Sequence, residues 1–75
     1  MYIAQEIADR IKTRAKTQKV QLKDMLSDCN MNINLISQFA KGGDIGGIKL
    51  ARIADYLDCS VDYLLGRTDN PEVNR

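Results

Sequence analysis

QLKDMLSDCNMNINLISQFAKGG, residues 21–43, is the stretch on which the fold turns. Leu22, Met25, Leu26 and Cys29 recur at three- and four-residue intervals, the spacing of one helix face, and predict a short amphipathic helix over about 21–29. Ile36, Phe39 and Ala40 predict a second helix. Asn32 is placed to cap its start, and Gly42 to end it in the left-handed conformation that glycine adopts at little cost. Only two or three residues around Asn30 and Met31 then join the two helices, and Asn tolerates the left-handed backbone of a tight stop. A connection that short sets the second helix steeply across the first.

With Ile36 and Phe39 turned inward, Asn32, Ile33, Asn34, Ser37 and Gln38 face outward. A helix that meets only water fills its outer face with Glu and Lys, which solvate well and favour helix. Uncharged amides and an extra Ile suit a surface that must touch something.

Outward from this pair the helical pattern continues. Ile3, Ile7, Ile11 and Ala15, with Ala4 and Ala8 beside them, form one apolar stripe on a helix over about 2–17. Gly42 to Gly47 hold four glycines in six residues and read as loop. Ile48, Leu50, Ala51, Ile53, Ala54 and Leu57 make a fourth helix. Ser60 caps a fifth that carries Val61, Leu64 and Leu65 and closes at Gly66. No period-two strand pattern is visible. The reading is all-α: one five-helix domain over 1–66, and a flexible tail over 67–75 that contains Pro71.

The composition agrees. Seventy-five residues make one small domain, and 44% hydrophobic residues with only 5% aromatics give an aliphatic core. Histidine is absent, which excludes histidine-based acid–base or nucleophilic chemistry. No paired carboxylates, phosphate loop or metal-ligand cluster appear, so neither an enzyme nor a cofactor is expected. Cys29 and Cys59, thirty apart, read as two reduced core thiols and lack the partners of a zinc site. No apolar run approaches the roughly 20 residues of a membrane helix, and no signal peptide is visible at the start, so a cytoplasmic protein is expected.

The net charge is +1, but it is unevenly spread. Arg10, Lys12, Arg14, Lys16, Lys19 and Lys23 pass without an acid between them, whereas Asp44, Asp55, Asp58, Asp62, Asp69 and Glu72 follow Lys41. Such polarity suits one face drawn to a polyanion and another held away from it.

Two blocks give these features a familiar look. Ile36-Ser37-Gln38-Phe39-Ala40-Lys41-Gly42 resembles the recognition-helix ending of the phage-repressor/Cro-like (XRE-type) helix-turn-helix regulators. The run from Leu50 to Arg67, LARIADYLDCSVDYLLGR, is similar to that family's closing helices almost position for position. The likeness covers about residues 3–68. It implies a five-helix lambda-repressor-like domain that binds an operator in double-stranded DNA and regulates transcription, with a repressor of phage or prophage type as the expectation.

On that likeness Asn32, Ile33, Asn34, Ser37 and Gln38 would contact bases, amides pairing with adenine and Ile33 packing on a thymine methyl. Lys19, Leu22, Lys23, Lys41 and Gly43 would contact phosphates, Leu22 through its main chain. Lys12, Arg10 and Arg14 would contribute field rather than contact. Many relatives have Gln where this chain has Leu22, and an Arg–Glu pair where it has Ala15 and Ala40. Removing both partners of such a pair leaves no stranded charge, which implies that the two alanines lie close together. Tyr56, Val61, Tyr63 and Leu65 read as core or as the seam of a homodimer on DNA. The competing reading is an antitoxin-like or anti-repressor protein-interaction module on the same fold, favoured if Ile33, Leu35 and Ile45 formed one exposed apolar patch.

Overall fold

The structure, a computed structural model, describes residues 3–72. Five helices run through them: α1 (Ala4–Thr17), α2 (Leu22–Asp28), α3 (Leu35–Ala40), α4 (Gly47–Tyr56) and α5 (Val61–Leu65). There is no strand among the described residues. Residue 2, expected to open the first helix, and residues 73–75 of the expected tail lie outside them.

α1 is the spine, packing on both α3 and α5, and α4 packs on α5. Ile7, Ala8, Ile11 and Ala15 are buried along its inner side, as the stripe requires. Ile3, counted with them, is the helix cap and stays exposed. Ile11, Met25, Leu26, Ile53, Leu57, Cys59 and Leu64 fill the centre, and no charged or polar residue is buried with them among those described. Both cysteines are free and buried. Burial pushes the Cys59 thiol up, against the opposing pull of the Arg14 charge.

Four helices stop in the same way. At the ends of α1, α2, α4 and α5 one of the first two residues past the helix takes positive φ: Lys19 (59°), Asn30 (58°), Asp58 (54°) and Gly66 (81°). Each makes the short return bond, and the next residue makes the longer one: Val20 N–H to the Ala15 carbonyl at 2.8 Å, Met31 to Leu26 at 2.7 Å, Cys59 to Ala54 at 3.0 Å, Arg67 to Asp62 at 2.9 Å. This Schellman pairing satisfies carbonyls that the helix leaves without partners, and the residue after the turn folds back onto the body. Val20, Met31 and Cys59 do that, packed on or within the core.

Arg14 secures α4 further, donating from Nε to the Leu57 carbonyl at 3.1 Å and from Nη2 to that of Asp58 at 2.8 Å. A cation at a helix C-terminus also opposes the negative end of the dipole. The guanidinium of Arg10 lies over Gly66, where a Cβ would come within 2.6 Å of it. These two arginines therefore also serve the bundle, a role beyond the field expected of them.

α4 is preceded by Gly46 at the cap position, whose φ of 79° and ψ of 148° are open in practice only to glycine. Ile48, counted in the apolar set of α4, is 80% exposed, because it falls on the opposite side from Leu50, Ile53 and Ala54. Ser60 caps α5 as its position suggests, its Oγ accepting from Tyr63 N–H at 3.0 Å. Beyond Gly66, in the segment expected as a flexible tail, the Pro71 carbonyl accepts from Ser60 N–H at 3.0 Å, and Arg67 faces Asp62 at 3.6 Å. No helix among the described residues is long and apolar enough to cross a membrane.

Candidate nucleic-acid interface

α3 is short because the chain before it makes a turn of its own. Asn32 was expected to cap the helix; instead its Oδ1 accepts from Asn34 N–H at 2.7 Å, and its carbonyl accepts from Leu35 N–H at 3.0 Å. An Asn side chain bonding two residues ahead stabilises a turn in competition with helix, so α3 starts only at Leu35 with Asn34 at the cap position. The link between α2 and α3 accordingly spans residues 29–34. That is longer than the two or three residues expected, since an Asn30 turn is followed directly by an Asn32 turn.

From this frame the side chains sort cleanly. Ile36 and Phe39 are buried, Leu35 and Ala40 half-buried, and Asn32, Ile33, Asn34, Ser37 and Gln38 exposed. Asn34, Ser37 and Gln38 make no side-chain hydrogen bond to any described residue, so their polar groups are free for an outside partner. Ile33, at the tip of the turn, is 66% exposed. From Cys29 to Gly43 the only charged residue is Lys41.

The residues expected to meet phosphate lie at two junctions. Lys19, Leu22 and Lys23 belong to the turn between α1 and α2 and to the first residues of α2; Lys41 and Gly43 directly follow α3. Lys19, Lys23, Lys41 and Gly43 are exposed, and Leu22 is half-buried against the core, which leaves it only its main chain to offer. Gly42 also takes positive φ, 109°, after the Lys41 cap, and its N–H donates to the Phe39 carbonyl at 3.0 Å. Gly43 backs onto α3, where a Cβ would stand 3.1 Å from the Gln38 carbonyl. Asp44 turns its Oδ1 onto Gly46 N–H at 3.1 Å, and Ile45 is buried, pinning the glycine loop to the body.

No protein-family model, curated protein or solved structure matches the chain.

Other residues singled out from the sequence take definite places. Tyr56 is neither core nor free surface: its hydroxyl donates to Asp28 Oδ2 at 2.5 Å, tying the end of α4 to the end of α2. That bond to the carboxylate holds the phenol above its ordinary pKa. Val61, Tyr63 and Leu65 are half-buried and packed on the core. Ala15 is buried and Ala40 half-buried on two helices that pack together. The apolar patch that would favour a protein-interaction module is not formed, because Ile45 is buried and Leu35 half-buried, which leaves Ile33 alone. Arg10 and Arg14 hold structural places beyond those expected of them from the sequence.

Proposed function

We propose that this chain binds double-stranded DNA sequence-specifically by laying α3 and its leading turn in the major groove. It is a transcriptional regulator of the phage-repressor/Cro-like helix-turn-helix type, acting as a repressor on a two-fold operator. The observation that carries this reading is the exposure of Asn32, Ile33, Asn34, Ser37 and Gln38 together, on a segment without a carboxylate, while Ile36 and Phe39 anchor its other side. A groove edge offers donors, acceptors and methyl groups rather than charge, and amides with one aliphatic side chain are complementary to it. Exposed Lys19, Lys23 and Lys41 supply the phosphate attraction that positions such a helix.

Size supports two copies per site. One domain of 28 × 27 × 20 Å is narrower than the ~34 Å between equivalent points one turn apart on B-DNA. A homodimer can therefore set two α3 segments into successive major grooves on one side of the duplex. The test is selection of bound sequences from a random duplex pool, followed by titration of the selected site at rising salt. A two-fold consensus, with affinity falling steeply as salt rises, is the expected result. Absence of any duplex binding at low salt overturns the reading.

A further inference from the structure

Building on the DNA-binding reading, we propose that Ile33 is a methyl reader. It seats on the C5 methyl group of one pyrimidine in the major groove, and Asn32 is the positioning residue that presents it. Asn32 accepts twice within its own turn, through Oδ1 from Asn34 N–H at 2.7 Å and through its carbonyl from Leu35 N–H at 3.0 Å. An Asn that reads adenine must offer its oxygen and its amide nitrogen together. The turn fixes the Asn32 oxygen on Asn34 N–H, so Asn32 is assigned here to positioning Ile33.

What the turn holds out is Ile33, between those two bonds and 66% exposed. A β-branched side chain has few rotamers to lose, and the backbone beneath it is fixed, so little ordering remains to be done on contact. Charge is complementary as well: from Cys29 to Gly43 the chain carries Lys41 and no acid, so the segment itself holds nothing that repels a polyanion. The pyrimidine methyl is the one apolar group that a base pair presents in the major groove. A contact of this kind accepts thymine and 5-methylcytosine and disfavours uracil and cytosine, without touching a hydrogen-bonding atom.

The experiment uses the selected duplex, with each thymine replaced singly by deoxyuridine. At the most sensitive position, cytosine and 5-methylcytosine pairs with guanine are then compared. One thymine should prove sensitive, uracil there weakening binding about fourfold, the worth of one buried methyl group. 5-Methylcytosine should outbind cytosine by the same factor. Ile33→Ala should erase both ratios. Asn32→Ala should reduce them, and Asn32→Ser, whose hydroxyl can accept the same N–H, should recover part of the loss. Thymine and uracil bound alike at every position of a selected duplex would overturn the methyl contact and leave DNA binding standing. Ratios unchanged in Ile33→Ala overturn its assignment to Ile33, and ratios unchanged in Asn32→Ala overturn the positioning role. Failure to select any duplex overturns the DNA reading and this inference with it.

Discussion

Arg14 shows what a single side chain can do in a domain this small. Its guanidinium bonds two carbonyls at the end of α4, so α1 and α4 are joined by charge-assisted contacts as well as by the core. Arg14→Met keeps the aliphatic stem but leaves those carbonyls without their donor, and should cost about 2 kcal/mol in denaturant unfolding. Arg14→Lys should recover only part, since an ammonium cannot reproduce the fork. The role was legible in the spacing: Arg14 stands three residues after Ile11, and Arg10 three after Ile7, which places both beside the buried stripe. Reading them only as members of a charge run hid this. Tyr56 and Asp28 form the other side-chain link, between α4 and α2. A phenol whose folded pKa is raised contributes stability that is fully present below its unfolded pKa and lost as pH rises through the folded value. The denaturation midpoint should therefore fall more in the wild type than in Tyr56→Phe as pH is taken above the ordinary tyrosine value of 10.0. Parallel curves for the two proteins would show that the bond adds nothing.

Helix ends, more than helix middles, decide how these elements are arranged. Three of the four left-handed stops are occupied by residues that carry a side chain, and Lys19 is the least suited of them, lacking the short polar group that lets Asn and Asp adopt the conformation. Lys19→Gly should raise stability by roughly 0.5–1 kcal/mol, read as a higher denaturant midpoint at unchanged slope. The same change should weaken DNA binding, because it removes a charge expected to face phosphate. Opposite signs in the two measurements would separate its two roles. The apolar period of α1 was legible because its long repeat of buried residues leaves little choice of face, whereas in the shorter α4 Ile48 turns outward and α5 fully buries only Leu64. The Asn30 stop was legible too, as was the Ser60 cap. The start of α3 was not. Asn at position 32 can cap a helix or bond two residues ahead in a turn, and sequence does not separate these when Ile33 and Asn34 follow. The glycine loop was legible as loop, but not the burial of Ile45 that fastens it.

Across the molecule the seven basic residues up to Lys41 divide into two populations that composition alone merges. Arg10 and Arg14 are half-buried and turned onto the ends of α5 and α4, whereas Lys12, Lys16, Lys19, Lys23 and Lys41 are exposed. The segment expected to read bases was legible by elimination, since burying Ile36 and Phe39 leaves only one side of so short a helix facing out. The set expected to contact phosphate is less so, because it depends on which lysines share that side rather than on their order in the chain. Counterion release turns this division into a measurement. Each lysine that neutralises a phosphate adds about 0.9 to the slope of log affinity against log salt on B-DNA. Lys19→Gln, Lys23→Gln and Lys41→Gln should each lower the slope by about one, with little change in base preference. Lys49→Gln serves as the control: it is equally exposed but sits on α4, in the half of the chain where acids predominate, and should leave the slope unchanged. If all four variants lowered the slope equally, the attraction would be diffuse over the surface, and α3 would hold no privileged place on the duplex. A loss confined to the three flanking lysines would instead locate the phosphate backbone on either side of Asn34, Ser37 and Gln38.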